Sequence, residues 1–289
     1  MKFKCILKYY FIAAMCLFTS LCVFGQAKRG LVIGLGQYKD RTWGTVHGDK
    51  DVPLVKNMLA ACGYKDIATL VNKEATKAGI IKAFENLAQR CGKGDVVYIH
   101  FSGHGQQITD VNGDEEDGLD EAWIPYDAMY AYSNTYKGEK HLIDDEIATW
   151  LNAIKGKIGP SGKILLVVDA CHSGDSDRGS EVDEEYIRGA SDDFIIPLKN
   201  TPKKIAKTKE NWLTLTACKN VQNNCEVKIK DGVFYGILSY ALYSQFANWK
   251  NLDNQRILNG LQQYVNLNRK RGRQTVTISG NHSLAQFFK

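Results

Sequence analysis

The sequence predicts an α/β fold with a mainly parallel central sheet. Two aliphatic runs, at 96–101 and 163–168, have the nearly continuous apolar character of strands that are covered on both faces. Upstream of them, segments of strand character alternate with segments whose apolar residues recur at helical spacing. This order of strand, helix, strand, helix and strand predicts right-handed crossovers and therefore parallel pairing.

The individual elements follow from the same periodicities and from helix-ending residues. Strands are predicted at 30–35, 66–71, 96–101, 163–168, 212–217 and 274–279, and helices at 51–62, 76–91, 144–154, 232–246 and 253–271. Residues 106–121 lack an apolar period and predict a polar loop. Residues 175–210 are rich in charged side chains and serine and predict a long mobile loop, which at this length usually serves a function or lacks order.

The first 25 residues have the pattern of a secretory signal peptide. Three lysines precede an uncharged apolar stretch at 9–24, and Gly25 offers a small residue for cleavage. The stretch is shorter than the roughly 20 residues of a membrane-spanning helix. A lipid anchor at Cys22 is the alternative, although Leu21 is bulkier than a lipid-attachment motif favours. We predict an exported protein, periplasmic or secreted, with one domain at 26–289 and no membrane association after cleavage.

Charge and cysteine content narrow the classes of partner. The formal net charge is +5, and three of these charges belong to the leader lysines, so nothing indicates binding to nucleic acid or to an anionic membrane. Five of the 8 cysteines follow the leader: Cys62, Cys91, Cys171, Cys218 and Cys225. An odd number in an exported protein predicts at least one unpaired thiol, whereas the pairing of the others and the oligomeric state stay open.

A histidine and a cysteine follow the two aliphatic runs, each in a turn that contains glycine. His104 follows the first run and Cys171 the second. Because open α/β sheets bind ligands at the carboxyl ends of their strands, we expect both side chains at one sheet edge, as a thiol nucleophile and its base require. The amides of Gly103 and Cys171 would then stabilise an oxyanion. His172 is the alternative base, but adjacent residues leaving a strand point to opposite faces.

These segments belong to a longer series of motifs. HFSGHG at 100–105, NGDEEDGLDEAWIPYDA at 112–128, HLIDDEI at 141–147, DACHSG at 169–174 and TACKNVQNNCE at 216–226 follow one another along the chain. In this order they resemble the metacaspases and related caspase-fold cysteine peptidases. The resemblance implies a caspase-like three-layer α/β/α sandwich whose mainly parallel sheet has about six strands. It also implies an endopeptidase with Cys171 as nucleophile, His104 as general base and no required cofactor.

In that family, acidic side chains in the S1 pocket select arginine or lysine at the P1 position of the substrate. Asp51, Ser102 and Asp169 match such positions, which implies protein or peptide substrates with basic P1 residues. Charge-assisted hydrogen bonds from a guanidinium to carboxylates contribute about 1.5–3 kcal/mol each, so such a pocket is selective. The alternative for Asp51 is a plain helix N-cap.

The resemblance also implies calcium as an activator. Many metacaspases bind Ca²⁺ through an Asp-Asp pair and an acidic loop after the nucleophile, which correspond here to Asp144, Asp145, Asp175 and Asp177. Asp144 could equally cap a helix. An EF-hand loop at 110–121 is disfavoured, because glutamate stands at the sixth position, where that loop needs glycine.

The predicted loop at 175–210 indicates self-processing. It carries basic residues close behind the nucleophile: Arg178, Arg188, Lys199, Lys203, Lys204, Lys207 and Lys209. An exposed basic segment beside an Arg/Lys-specific site predicts self-cleavage, and a solvated linker is the alternative.

Two other functions are weaker interpretations of the sequence. A catalytically silent caspase-fold scaffold would need no intact dyad, yet His104 and Cys171 are both present. Nucleotide binding at Gly34-Leu35-Gly36 lacks the third glycine of the dinucleotide fingerprint, because Lys39 stands there.

Overall fold

The computed structural model describes residues 26–171, 187–198, 210–219, 222–269 and 272–289. The predicted signal peptide, the alternative base His172 and the metal candidates Asp175 and Asp177 lie outside the described residues. Within the predicted loop at 175–210, the structure describes 187–198 and residue 210.

The strands in the described part of the chain are β1 Lys28–Gly34, β2 Asp66–Val71, β3 Val96–Ser102, β4 Gly105–Thr109, β5 Leu119–Trp123, β6 Leu142–Ile143, β7 Lys163–Asp169, β8 Leu213–Thr216, β9 Glu226–Lys228, β10 Phe234–Gly236 and β11 Thr277–Ser279. The α-helices are α1 Gly48–Ala61, α2 Lys77–Arg90, α3 Asp144–Ile158, α4 Ile237–Gln245 and α5 Asn254–Asn268. Short 3₁₀ turns lie at Asn72–Glu74, Phe246–Asn248 and Leu284–Phe287.

Six strands form the central sheet in the order β11-β8-β7-β3-β1-β2. All neighbouring pairs are parallel except β11 with β8. Successive side chains of a strand point to opposite faces, so the sheet divides the apolar core into two layers. Leu31, Ile99 and Leu166 face α2 and α3, whereas Val32, Tyr98 and Leu165 face α1, α4 and α5. The predicted α/β sandwich with a six-stranded, mainly parallel sheet is confirmed.

The prediction of a plain loop at 106–121 is wrong at both ends. β4 and β5 pair antiparallel, with Gln107 opposite Glu121, and β6 extends them to a small three-stranded sheet. Gln106 and Gln107 are 1% and 7% exposed. Gln106 can be buried because its side chain bonds to His141 and to the carbonyls of Tyr130 and Asp192. A search for apolar alternation does not detect a strand of this kind.

The predicted helix at 232–246 begins too early. Residues 234–236 form β10, which pairs antiparallel with β9, and α4 starts only at Ile237. Pairing with a strand several residues upstream decides this segment, since Phe-Tyr-Gly is compatible with either conformation when taken alone.

Neither proposed helix cap is found. α1 begins at Gly48, so Asp51 lies inside the first turn and is fully buried, and the N-cap alternative for it is wrong. α3 begins at Asp144 itself, and its N-cap residue is Ile143.

The Gly34-Leu35-Gly36 segment has a packing explanation. A Cβ atom at Gly34 would lie 2.2 Å from the carbonyl oxygen of Gly48, and one at Gly36 would lie 2.3 Å from a carboxylate oxygen of Asp49. The two glycines therefore let α1 approach the end of β1 closely, and the nucleotide-binding alternative loses its support.

Two further features concern the described chain as a whole. Cys62, Cys91, Cys218 and Cys225 are thiols and not disulfide partners. No helix in the described ranges has both the length and the apolar character needed to cross a membrane.

Candidate active site

The ends of β3 and β7 bring the predicted catalytic residues to one sheet edge. Ser102 and Asp169, the last residues of these strands, are register partners in a parallel pair. His104 and Cys171 each follow two residues later, and both are buried, at 3% and 0% exposure. The parallel register therefore places the imidazole and the thiol at neighbouring strand ends.

His104 lies in an aromatic pocket that fixes its ring. Its Nε2 lies 2.8 Å from the carbonyl oxygen of Gly44, which can only accept, so Nε2 carries the proton and Nδ1 is the basic nitrogen. Nδ1 has no hydrogen-bond partner among the described residues. The rings of Tyr38 and Trp43 lie 5.2 and 5.3 Å from the imidazole. Burial lowers the pKa of His104 to about 4, so the ring is neutral at physiological pH.

The backbone amide and the thiol of Cys171 each contact a main-chain carbonyl oxygen. Cys171 N donates to Arg188 O at 2.6 Å, and the thiol lies 2.5 Å from the carbonyl oxygen of Gln222. The other predicted oxyanion donor, Gly103, directs its amide to Asp169 O at 3.4 Å. Of the two predicted donors, the Cys171 amide therefore binds the carbonyl of Arg188, whereas the Gly103 amide is directed to the end of β7.

Gly189 lies against the side chain of Cys171. A Cβ atom at Gly189 would lie 3.0 Å from Cys171 Cβ and 3.4 Å from Cys171 Sγ. The Gly189 backbone also contributes to the pKa of His104, which requires that it lie beside the ring. Gly189 therefore packs against the side chain of Cys171, directly after the residue whose carbonyl accepts from the Cys171 amide.

The side chain of Arg188 fills a closed acidic pocket and is 0% exposed. Its Nη1 lies 2.9 Å from Asp51 Oδ2 and 2.5 Å from Ser102 Oγ. The same nitrogen lies 3.8 Å from Asp169 Oδ2. The structure thus brings the three predicted pocket residues together around one guanidinium.

Glu226 is a further wall of this pocket that the sequence analysis did not assign. It is 1% exposed, and its Oε1 lies 3.0 Å from both Nε and Nη2 of Arg188. His47 supports Glu226 from behind, with its amide at 2.6 Å and its Nδ1 at 2.5 Å. Glu226 ends the motif at 216–226, which was the available signal, but only the β9–β10 hairpin turns it inward.

Asp169 is fixed from several sides. Asn224 donates to its Oδ1 at 2.7 Å, and the amide and hydroxyl of Ser239 donate to its Oδ2 at 2.7 and 2.6 Å. Gly236 closes this side of the pocket. A Cβ atom there would lie 2.1 Å from Asp169 Oδ2 and 2.4 Å from Arg188 Nη1, so only glycine leaves room for the guanidinium.

The pocket concentrates negative charge around one cation. Burial raises the pKa of Asp51 to about 6, although the Arg188 guanidinium opposes the shift. Burial also acts to raise the pKa of Glu226, but Arg188 and His47 outweigh it and hold that pKa below its ordinary value. The pKa of His47 is raised by its hydrogen bond to Glu226. A buried pocket with three carboxylates is chemically suited to a guanidinium or ammonium group.

A second acidic cluster lies between the β4–β5 turn and α3. Oxygen atoms of Asp110, Asp114 and Asp120 lie within 4.8 Å of one another, as do those of Glu115, Asp120 and Asp144. Asp120 is 2% exposed, and its Oδ1 has no hydrogen-bond partner among the described residues. Burial, followed by repulsion from its carboxylate neighbours, raises the pKa of Asp120 to about 8.

Only one of the metal ligands predicted from the sequence is found in this cluster among the described residues. Asp144 is one of its members, whereas Asp145 accepts a hydrogen bond from the side chain of Asn112. Asp175 and Asp177 lie outside the described residues. The central residue, Asp120, was missed because it stands in a motif in which acidic residues are common.

Comparison with known proteins identifies the family. Residues 27–288 match the family profile described as Caspase domain, so the chain belongs to the caspase-domain family of peptidases. This confirms the family that the motifs indicated.

Among curated relatives, the chain is similar to metacaspase-1B of Neosartorya fischeri, with 26% identity over 65% of this chain and 51% of that protein. It is also similar to metacaspase-1A of Aspergillus terreus, with 29% identity over 55% of this chain and 38% of that protein. The chain thus spans about half the length, or less, of these relatives.

Two solved structures share the fold. A protein from Geobacter sulfurreducens has a TM-score of 0.61 at 23% identity, covering 91% of this chain and 97% of that one. Caspase-1 from Spodoptera frugiperda has a TM-score of 0.56 at 12% identity, covering 88% and 86%. At these identities the similarity concerns the fold alone.

Proposed function

We propose that this chain is a cysteine endopeptidase that cleaves after arginine, and less well after lysine, with Cys171 as nucleophile and His104 as base. The observation that carries the proposal is Arg188, whose side chain fills the acidic pocket while its carbonyl accepts from the Cys171 amide at 2.6 Å. On the other side, Arg188 N donates to Asn224 O at 2.8 Å, so this residue is held in an extended, substrate-like conformation.

The proposed reaction uses the Cys171 thiol as nucleophile and the His104 imidazole as base. The Cys171 thiol loses its proton to His104 Nδ1, and the sulfur attacks the P1 carbonyl carbon while the Cys171 amide stabilises the oxyanion. The carbon–nitrogen bond breaks as His104 returns the proton to the leaving amine. Water, deprotonated by His104, then hydrolyses the thioester, which releases the P1 carboxylate and restores the thiol.

The pocket geometry favours arginine over lysine. Nη1 of the guanidinium contacts Asp51 and Ser102, while its Nε side contacts Glu226. A lysine ammonium is a single point charge and cannot engage both walls in this way. We therefore expect kcat/KM for lysine substrates to be lower by about tenfold, the loss of roughly one charge-assisted hydrogen bond.

The first prediction concerns cleavage specificity. Peptides that differ only in arginine, lysine or aspartate at P1 should be hydrolysed in the order Arg > Lys, with no cleavage after Asp, because aspartate would add a fourth carboxylate to the pocket. Cys171→Ala should remove all hydrolysis. Fluorogenic peptides and mass spectrometry of the products measure this, and cleavage after aspartate, or none by the wild type, would reject the proposal.

The second prediction concerns pH. Arginine binding needs an ionised Asp51, whose pKa is about 6 with a guanidinium in the pocket and higher without one. His104, with a pKa of about 4, stays neutral over the same range. Because kcat/KM reports the free enzyme, whose pocket holds no guanidinium, we expect it to fall, approaching tenfold per pH unit, as the pH drops below a pKa of Asp51 that lies above 6. Asp51→Asn should have lower activity but lack this decline, and an unchanged decline in that variant would contradict the assignment.

The same geometry supports self-processing at the bond between Arg188 and Gly189. The carbonyl of this bond accepts from the Cys171 amide, and Gly189 packs against the Cys171 side chain. Of the basic residues in the predicted loop, Arg188 is the one within the described ranges. Purified Cys171→Ala protein should remain a single chain, whereas wild type should divide at this bond.

We further propose that the acidic cluster around Asp120 binds Ca²⁺ and thereby regulates the peptidase. Several carboxylate oxygens lie within 4.8 Å of one another, and a hard cation with flexible coordination suits such a set. The raised pKa of Asp120 supports this, because a cation would displace its proton and relieve the repulsion. Asp110, Asp114, Glu115 and Asp144 are the other candidate ligands.

The third prediction tests this cluster without relying on activity. Millimolar Ca²⁺ should raise the melting temperature of Cys171→Ala protein, and more at pH 8.5 than at pH 6.5, because protons compete for Asp120 below its pKa of about 8. Asp120→Asn in the same background should remove the increase. Asp66→Asn, which alters a surface carboxylate paired with Arg29 and Arg90, is the control. Equal melting curves with Ca²⁺ and with a chelator would reject the site.

A further inference from the structure

The chain beyond Gly189 is bound along a strand edge. β4 is the outer strand of its small sheet, and residues 189–196 run beside it. The Ala190 amide donates to the carbonyl of Gly105 at 3.1 Å. The Phe194 amide donates to the carbonyl of Gln107 at 2.8 Å. These donors are four residues apart in the segment and their acceptors two apart in β4, so the chain bends at 191–192 and pairs with β4 again at Phe194, opposite Ile108.

Phe194 is the large buried side chain of this stretch, in which Ala190 is also buried. It is 1% exposed, whereas Ser191, Asp192 and Asp193 are exposed and the following Ile195 is 57% exposed. Its ring packs with a small apolar cluster of its own, formed with Ile108, Ala122 and Tyr136. The segment is therefore fixed by two large buried side chains, Arg188 and Phe194, with the exposed residues 191–193 before the second of them.

The walls of the Phe194 site are rigid. The ring of His141 lies tilted against that of Phe194 with centroids 4.5 Å apart, and its two nitrogens bond to Tyr136 Oη at 2.9 Å and Gln106 Oε1 at 2.8 Å. Gln106 in turn donates from Nε2 to Asp192 O at 2.8 Å. Gly138 has φ +93°, and a Cβ atom there would lie 3.1 Å from the ring of Phe194, so glycine makes room for it.

We propose that Phe194 and its site form an anchor that sets the register of self-cleavage, so that the chain divides after Arg188 and not at a neighbouring position. This inference rests on the proposed peptidase activity. A shift of one residue moves an extended chain by about 3.3 Å. Such a shift would remove Arg188 from contacts of 2.5–3.0 Å and its carbonyl from the Cys171 amide. Phe194 is thus a positioning residue for the cis reaction and takes no part in the chemistry.

The experiment compares cleavage in cis with cleavage in trans in the full chain. Protein is purified with its thiols reversibly blocked as mixed disulfides, reductant starts the reaction, and intact-mass spectrometry follows the cut. Once the cut is complete, the same samples are assayed on a short peptide that ends in P1 arginine and a coumarin leaving group, because Arg188 fills the pocket of the uncut chain. This peptide has no residues that could reach the Phe194 site.

We expect Phe194→Ala to slow self-cleavage at least tenfold, while trans hydrolysis by the fully cut protein stays within threefold of wild type. Phe194→Leu should restore self-cleavage to within threefold, and Ile195→Ala, at the exposed neighbour, should have no effect. Wild-type self-cleavage by a Phe194→Ala protein that hydrolyses the peptide normally would overturn the inference. If wild type fails to hydrolyse the peptide, the proposed function fails instead.

Two variants that retain Phe194 decide the question if Phe194→Ala does not fold. In Ile187→Arg/Arg188→Ala, an arginine lies one residue out of register, and the anchor predicts at least tenfold slower cleavage after residue 187 than wild type shows after Arg188. One alanine inserted between Asp192 and Asp193 should likewise slow cleavage after Arg188. Wild-type rates in both variants would show that the loop selects its bond without an anchor.

Discussion

Replacing Gly236 with alanine is expected to lower kcat/KM for arginine substrates by about 100-fold or more. The new methyl group would lie 2.1 Å from Asp169 Oδ2 and 2.4 Å from the guanidinium, so the side chain at P1 could no longer reach the pocket floor. Gly236 has φ −59° and ψ 133°, which alanine adopts without strain, so the effect is steric and local. Loss of about two charge-assisted hydrogen bonds accounts for the magnitude.

The measurement is steady-state kinetics on matched peptides, with thermal melting as a check on folding. Gly156→Ala on α3 is the matched control, because nothing lies within 4 Å of a Cβ atom there. In a helix interior that substitution should be neutral or stabilise by roughly 0.5–1 kcal/mol. A Gly236→Ala enzyme within threefold of wild type would show that the arginine side chain of a substrate binds elsewhere.

Replacing Arg188 with alanine in the Cys171→Ala background is expected to destabilise the chain by about 3–5 kcal/mol at pH 8. The substitution leaves Asp51, Asp169 and Glu226 facing one another without the cation that separates them. For a domain of this size the loss corresponds to a decrease of roughly 6–20 °C in melting temperature. Millimolar agmatine, which carries a guanidinium group, should recover part of it.

The stability lost on replacing Arg188 should decrease as the pH is lowered. Removal of Arg188 takes away the interaction that lowers the pKa of Asp51, so that pKa rises further above its unfolded value. A buried acid with a raised pKa costs stability where it is ionised, and the cost fades as the pH drops through that pKa. The decrease in melting temperature should therefore be smaller at pH 5 than at pH 8.

Arg90→Ala is the control for this effect. Arg90 pairs with Asp66 at the surface, where both side chains are about one-third exposed, so its loss should cost no more than about 1 kcal/mol. Equal shifts for the two variants at both pH values would show that the buried pocket does not depend on its cation.

The sheet was predictable because local patterns specify it. β3 and β7 are continuous aliphatic runs whose side chains are buried on both faces, and no long-range information is needed to recognise such strands. The failures occurred where pairing with a distant segment decides the conformation. β4 is polar yet buried, and β10 forms a strand only because it pairs with β9.

The site divides in the same way. The sequence by itself determined that a histidine and a cysteine follow two aliphatic strands of a mainly parallel sheet, and its resemblance to a family implied that Asp51, Ser102 and Asp169 belong to one pocket. Only the tertiary structure decided that Glu226 closes that environment, that Gly236 leaves it open to a guanidinium, and that Arg188 fills it. Strand periodicity is a local property. A pocket, by contrast, is made by side chains far apart in sequence, and their directions depend on how the β9–β10 hairpin, helix α1 and the segment that carries Arg188 pack together.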